Sequence, residues 1–398
     1  MKKTFAILGA GMQGTAVAYD LAKHADPEQI LMGDRDIEQA ERNAARVNSL
    51  IDRNVCRAHT ADALDPESLH KLLEPVDVLV SCVPYWMHPR VASVAVKAKT
   101  HMCDMGGDTS VTWETLKHDK GAKAAGITIV PDTGLAPGMV NNLATYFMEE
   151  LDETESVRLY CGGLPQNPKP PFNYKLVFNV EGLVTEYSHR ADVVRDRCVE
   201  QVDTLNELEK IHIDGMGEME AFTTSGGAST APFTFEGQVD TYEYKTIRYP
   251  GHCAYMRMFR DYGFWDNSPV KTHSGEAVPL HLFHALMGEA LRDPADKDLI
   301  IVRGVGIGMR GGKQVKLQID MLEKHDDKTG FTAMERMTGF STAIIADQLA
   351  KGAMAPGALR YETAMSGKLY LSELEKREIN IRFSEEIMLS AESHRAAG

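Results

Sequence analysis

No stretch of this 398-residue sequence stays apolar for the roughly 18 or more residues that a membrane-spanning helix needs. The apolar start at Thr4 to Leu8 runs straight into glycine and gives no signal-peptide core. Six cysteines (Cys56, Cys82, Cys103, Cys161, Cys198 and Cys253) contain no Cys-x-x-Cys pair. Their scatter argues against a zinc ribbon or a disulfide framework and fits a reducing, cytoplasmic setting. Positive charge is short as well: 43 Lys and Arg stand against 57 Asp and Glu, a formal net charge of −14. Such a chain repels phosphate backbones, so nucleic acid is not an expected partner. His281 and His284 could form half a metal site, but no third ligand follows at suitable spacing, and no metal is expected. There is no internal repeat and no low-complexity tract.

What is present is ordinary in bulk, 43% hydrophobic and 25% charged, and long enough for two domains. The first third alternates short apolar runs (4–8, 30–33, 76–83, 101–105, 127–130) with helical spacing (15–24, 37–50, 91–99, 113–125). Repeated βαβ of this kind predicts an α/β Rossmann domain, a doubly wound parallel sheet with helices on both faces. After about Leu151 the pattern changes. Strand-like stretches recur at 156–161, 175–180, 219–224, 242–249, 299–305 and 315–323, the last two reading as a hairpin through the glycine-rich 304–312. These predict a second, α+β domain. A long helix at 332–351 is expected to return to the first domain. The expected division is 1–135 for the dinucleotide domain, 136–328 for an α+β substrate and dimerisation domain, and 329–398 for a C-terminal helical segment.

The first apolar run ends in Gly9-Ala10-Gly11-Met12-Gln13-Gly14, a G-x-G-x-x-G between a strand and a helix. Gly9 suits the tight turn, Gly11 lets a pyrophosphate approach, and Gly14 lets helix and strand pack closely. Asp34 ends the second run and can accept from an adenosine ribose. NAD is the expected cofactor; Arg35, which could pair with a 2′-phosphate, leaves NADP open. Ligands of doubly wound sheets lie beyond the carboxyl ends of the strands. Cys82, Val83 and Pro84 should line the dinucleotide there, Asp104 should lie near the nicotinamide, and Asp132 reads as a turn residue.

In the second half, 242–252 crowds polar groups onto one strand and its end. Glu243, Lys245 and Ile247 share one face; Tyr244, Thr246 and Arg248 share the other. Arg248 can hold a carboxylate bidentately, His252 can move protons near neutral pH, and Lys245 can act as a base if burial lowers its pKa. An amphipathic strand with a solvated charged face would look the same. The loop at 221–230 offers Thr224, Ser225 and Gly226 to a carboxylate, and Lys175 is a further candidate for an anion.

The chain resembles the saccharopine dehydrogenase-like oxidoreductases. The resemblance rests on G-A-G-M-Q-G, on P-D-T-G-L-A-P-G-M at 131–139, on A-F-T-T-S-G-G-A-S-T at 221–230, on Y-K-T-I-R-Y-P-G-H at 244–252, and on the segments 329–334 and 337–340. It implies NAD(P)-dependent chemistry at an amine carbon, in a cleft between the Rossmann and α+β domains. Within the family the lysine 6-dehydrogenase branch is the most similar. That implies oxidative deamination of L-lysine at the 6-amino group, with His252, Lys245 and Asp104 as candidate catalytic residues and a homodimer or homotetramer as the assembly. A saccharopine- or carboxynorspermidine-type reductase, acting on a secondary amine, is the alternative; it would need a second anion clamp, which Lys175, Arg257 and Arg260 could supply. A non-catalytic NAD-binding sensor is a third reading, disfavoured by the polar groups gathered at Asp104, Lys245, Arg248 and His252. The stretch 257–279 departs from the lysine 6-dehydrogenase pattern and is expected to shape the substrate pocket.

Overall fold

A computed structural model describes residues 2–178 and 180–388. Its first sheet holds β1 (Thr4–Leu8), β2 (Gln29–Asp34), β3 (Cys56–Thr60), β4 (Val78–Ser81), β5 (His101–Asp104) and β6 (Thr128–Val130). They lie in the order β3-β2-β1-β4-β5-β6, and every neighbouring pair is parallel. Helices cover the faces, which is why β1 and β4 can be buried at every residue. The remaining strands are β7 (Glu153–Pro165), β8 (Arg190–Arg195), β9 (Cys198–Asp203), β10 (Glu209–Ile213), β11 (Gly217–Thr223), β12 (Thr241–Arg248), the small hairpin β13 (Val270–Thr272) and β14 (Gly275–Ala277), β15 (Asp298–Arg310), β16 (Lys313–Lys324), β17 (Gly357–Ala358) and β18 (Ile381–Ile387). The second sheet runs β10-β11-β12-β7-β15-β16-β18, with β8 beside β12 and β9 beside β8.

The two halves are held by the helix Ala333–Ala350. Thr332 and Glu335 form a reciprocal cap at its start, and the Asp298 carboxylate on β15 accepts from the Ala333 and Met334 amides at 2.8 and 2.9 Å. From that anchor on the second sheet the helix lies across Met12–His24 of the first domain. The crossing is close enough that a Cβ on Gly339 would stand 2.7 Å from the Ala16 Cβ. Beyond it, Arg377 Nε donates to both Asp20 carboxylate oxygens at 2.9 Å, and Arg377 Nη1 donates to Glu373 at 2.9 Å, in a buried cluster.

Several elements differ from the sequence pattern. The described residues of 175–180 form no strand; Val180 belongs to the helix Val180–Ser188. The expected helix at 113–125 is two, Thr109–Leu116 and Asp119–Ala125. The C-terminal segment is not purely helical: β17 extends the first sheet beside β6, and β18 returns to the second beside β16. The glycine-rich 304–312 is mostly strand. Only Gly311 and Gly312 turn, both left-handed (φ 57° and 75°). Gly304 and Gly306 instead make room for a helix, since a Cβ on either would meet the Phe147 ring at 3.0 and 2.5 Å.

Candidate active site

The glycine turn divides its work as steric arithmetic requires. A Cβ on Gly9 (φ 99°) would stand 2.7 Å from the Cys82 carbonyl oxygen, and one on Gly14 would stand 2.0 Å from the Gly9 oxygen. A Cβ on Gly11 would meet nothing within 4 Å. The turn is therefore closed behind Gly9 and Gly14 and open over Gly11, which begins the helix Met12–His24. A helix start of this kind offers free N–H groups and a positive dipole end to a phosphate. Asp34 is fixed beside it: its carboxylate accepts from the Ala10 amide at 2.9 Å, the Asp36 amide at 3.0 Å and Gln39 Nε2 at 3.2 Å. Asn43 holds the Ala10 carbonyl at 2.6 Å. Arg35 is exposed. Cys82 and Val83 border the turn, as a strand end should, while burial pushes the Cys82 and Cys103 thiols up and out of nucleophile range. These residues fit a nicotinamide dinucleotide.

The ends of β5 and β6 bring two carboxyls together. Asp104 Oδ1 accepts from the Gly106 and Asp132 amides at 2.9 and 3.2 Å, and its Oδ2 is buried without a protein partner. His88 stands alongside, with Nε2 3.8 Å from Asp104 and Nδ1 3.1 Å from the Ser81 hydroxyl. Asp132 takes a left-handed backbone (φ 63°). Its carboxyl accepts from Thr112 Oγ1 at 2.9 Å and from the Ser229 hydroxyl. Burial, with the Asp104 charge behind it, pushes Asp132 up to about 7. The turn role expected of Asp132 thus understates it. It is a carboxyl that titrates near neutrality at the edge where a nicotinamide would lie.

Ser229 belongs to the loop after β11, and that loop joins this edge to a second polar cluster. At its near end, Ser229 meets Asp132, and Thr230 donates to Glu362 at 3.0 Å. At its far end, Thr224 Oγ1 lies 2.7 Å from Thr246 Oγ1, and the Ser225 amide donates to the Glu186 carbonyl at 3.0 Å. Gly227 lies flat on Tyr244, where a Cβ would fall 2.2 Å from the ring. The cluster centres on Arg248, only 3% exposed. Its Nε donates to the Tyr187 hydroxyl at 3.0 Å, Nη1 to the Ile247 carbonyl at 3.0 Å, and Nη2 to Glu186 at 3.3 Å. The Tyr174 ring centroid lies 5.1 Å from the guanidinium carbon. A second N–H on each Nη is left for a ligand.

Not all predicted site residues meet here. Lys245 does not: it lies on the opposite face of β12 from Arg248 and is bound to Glu209 Oε1 at 2.9 Å and the Glu207 carbonyl at 3.0 Å. His252 is in the cluster, 3.1 Å from the Tyr187 hydroxyl, but burial and the Arg248 charge hold its pKa well below the usual range. Tyr187, which accepts from Arg248, thus links His252 to the cation, and His252 is held neutral there. Lys175 donates to the Asp293 carbonyl at 2.8 Å and to that of Asp296, and so serves the 293–296 loop. The hydroxyls of Thr224 and Ser225 are likewise spent on protein partners. Glu186, Tyr187 and Tyr174 escaped the sequence reading, because nothing in the 174–187 pattern points to β12. Among the described residues, no group of three or more His, Cys, Asp or Glu is placed to hold a metal, and no helix is long and apolar enough to cross a membrane.

The sequence matches the saccharopine dehydrogenase NADP binding domain over residues 5–130 and the saccharopine dehydrogenase C-terminal domain over residues 134–379. The chain belongs to the saccharopine dehydrogenase family. Among similar proteins is the saccharopine dehydrogenase [NADP(+), L-glutamate-forming] of Saccharomyces cerevisiae, 27% identical over 210 residues, which span 51% of this chain and 45% of that protein. The mitochondrial alpha-aminoadipic semialdehyde synthase of Bos taurus is 24% identical over 431 residues, spanning 89% of this chain and 45% of its own length. The Arabidopsis thaliana alpha-aminoadipic semialdehyde synthase is 27% identical over 250 residues, 60% of this chain and 23% of that protein. The chain therefore spans under half the length of these relatives. A solved structure of apo saccharopine dehydrogenase (L-Glu forming) from Saccharomyces cerevisiae shares the fold, with a TM-score of 0.79 at 17% identity, covering 96% of this chain and 100% of that one.

Proposed function

We propose that this member of the family is a nicotinamide-dependent dehydrogenase that oxidises a carbon–nitrogen bond of a small amino acid, and that its reaction is oxidative deamination of L-lysine at the 6-amino group with NAD. The observation that carries this is Arg248: a buried cation with N–H groups to spare, joined by one short loop to a pair of buried carboxyls at the sheet edge. The amides of Met12 and Gln13 would receive the pyrophosphate, and Asp34 the adenosine ribose. The Asp34 charge opposes a 2′-phosphate, which supports NAD. A dinucleotide held there would supply the hydride acceptor for the amine carbon. Arg248 binds the α-carboxylate and sets the distance of the reacting carbon. Tyr174 and Tyr187 wall the cation from water. The Asp104–Asp132 pair takes up the substrate proton, directly or through the Ser229 hydroxyl, and thereafter steers the water that hydrolyses the imine to aldehyde and ammonia. Asp132, raised to about 7, has the affinity a base needs near neutral pH.

The names of the relatives favour a second reading, cleavage or formation of a secondary amine such as saccharopine. That chemistry needs a second anion clamp. Lys175 is tied to the Asp293 carbonyl, whereas Arg257, bonded through Nε to the Leu205 carbonyl at 2.5 Å, and Arg260, bonded to the Thr204 carbonyl at 3.1 Å, each keep N–H groups for such a clamp. Arg248→Met tests the clamp by steady-state kinetics. The expected result is a kcat/KM for the amino acid lowered about 10²- to 10³-fold, mostly through KM, since two charge-assisted hydrogen bonds are lost, with NADH affinity unchanged. An unchanged KM would remove Arg248 from the substrate site.

A further inference from the structure

Glu186 has no part in the chemistry described so far, yet it sits against the substrate cation. It projects from the helix Val180–Ser188 so that Oε2 meets Arg248 Nη2 at 3.3 Å, while Oε1 accepts from Thr246 Oγ1 at 2.7 Å. The two partners are not equally enclosed: the Arg248 side chain is 3% exposed and that of Glu186 17%. A buried arginine needs a counter-charge, and removing one is costly; that requirement alone would put some carboxylate nearby. It does not require the carboxylate to keep an open side. Each Glu186 oxygen makes one of these bonds and retains a lone pair, and each Arg248 Nη retains an N–H. An anion and a cation with spare capacity thus lie side by side, with the Tyr174 and Tyr187 rings 5.1 and 5.9 Å from the guanidinium.

An α-amino acid carries carboxylate and ammonium on a single carbon, so one head group can engage both. A ligand with a carboxylate alone would bring its charge against Glu186, and one with an amine alone would leave Arg248 unused. We propose that Glu186 is a specificity-determining residue: it receives the substrate's α-ammonium while Arg248 receives the α-carboxylate, which restricts the site to substrates with a free α-amino acid head. This rests on Arg248 being the carboxylate clamp. Discrimination then comes as much from repulsion of the wrong head as from attraction of the right one.

The test compares L-lysine with 6-aminohexanoate, which keeps the reacting amine, the chain and the carboxylate but lacks the α-ammonium. Binding of each to the NADH complex is measured by calorimetry for wild type and for Glu186→Gln, alongside turnover of each with NAD. Wild type should bind L-lysine about 10- to 100-fold more tightly, the worth of one charge-assisted hydrogen bond. In E186Q that ratio should fall to about threefold or less. Because the ratio compares two ligands on one protein, a poorly folded fraction or a shifted Arg248 affects both alike. A ratio that persists in E186Q, or wild type that binds the two equally, overturns the assignment. Discrimination that collapses in E186Q without any L-lysine turnover would uphold Glu186 and refute the deamination. Binding of neither ligand would refute both.

Discussion

Two alanines placed three residues apart in the glycine turn should do opposite things. Gly14→Ala puts a Cβ 2.0 Å from the Gly9 oxygen and 3.1 Å from Ile7 Cγ2. Ordinary contact begins near 3.4 Å, so β1 and the helix must part by about 1.4 Å. Overpacking of this severity costs about 2–3 kcal/mol, which for a domain of this size lowers Tm by roughly 5–10 °C. Gly11→Ala meets nothing within 4 Å, and the Gly11 φ of −77° is on the side that L-residues adopt. Its melt should stay within about 1 °C of wild type. Its Cβ, however, fills the space that a pyrophosphate must enter. Loss of one charged hydrogen bond to the helix start costs about 1.5–3 kcal/mol, or about 10- to 100-fold in Kd. Thermal melts and NADH fluorescence titrations of the two variants measure both effects. A Gly11→Ala protein that binds NADH at wild-type affinity would refute the placement of the cofactor, and an unshifted melt for Gly14→Ala would refute the packing argument.

Wild-type kcat/KM should rise through about pH 7, and Asp132→Asn should remove that limb, with a loss of about 10²- to 10⁴-fold above it; an unchanged profile would place the base elsewhere. Burial favours the neutral Asp132 acid, so its folded pKa lies above the unfolded value, and its contribution to stability is present at low pH and lost as pH rises through about 7. Urea unfolding should therefore show Asp132→Asn gaining on wild type progressively between about pH 4 and pH 7, and no further above that. Arg377→Ala leaves Asp20 buried without its cation, while Glu373 keeps Lys376 at 2.6 Å, and should lower stability by about 3–5 kcal/mol; a change below about 1 kcal/mol would mean that the C-terminal helix does not dock as described. Lys245→Met should leave kcat and KM within about twofold, because Lys245 faces Glu209 on the far side of β12.

The first domain was legible because its signals are local. Each glycine of the turn, the acid at Asp34 and five continuous apolar strands answer to neighbours within a few residues; β3 (Cys56–Thr60), buried only at Cys56, carries no apolar run and was not read. The second domain depends on distant partners. The alternation along β12 already put Lys245 and Arg248 on opposite faces, so pairing them in one site contradicted the pattern itself. His252 has the residue type of a base, but the rings of Phe172, Tyr174, Tyr187 and Phe222 that hold it neutral come from other elements. Glu186 precedes Arg248 by about sixty residues, on a helix whose Val180 had been read as strand. The 304–312 glycines look like a turn until the helix Val140–Glu150 is seen lying against them.

The most direct test is reduction of NAD and NADP, followed at 340 nm, across L-lysine, L-ornithine, saccharopine and carboxynorspermidine. Oxidative deamination predicts turnover of L-lysine with NAD, with ammonia released in step with NADH. Turnover confined to saccharopine or carboxynorspermidine, with NADP preferred and no ammonia formed, would contradict it and place the chain with the secondary-amine enzymes.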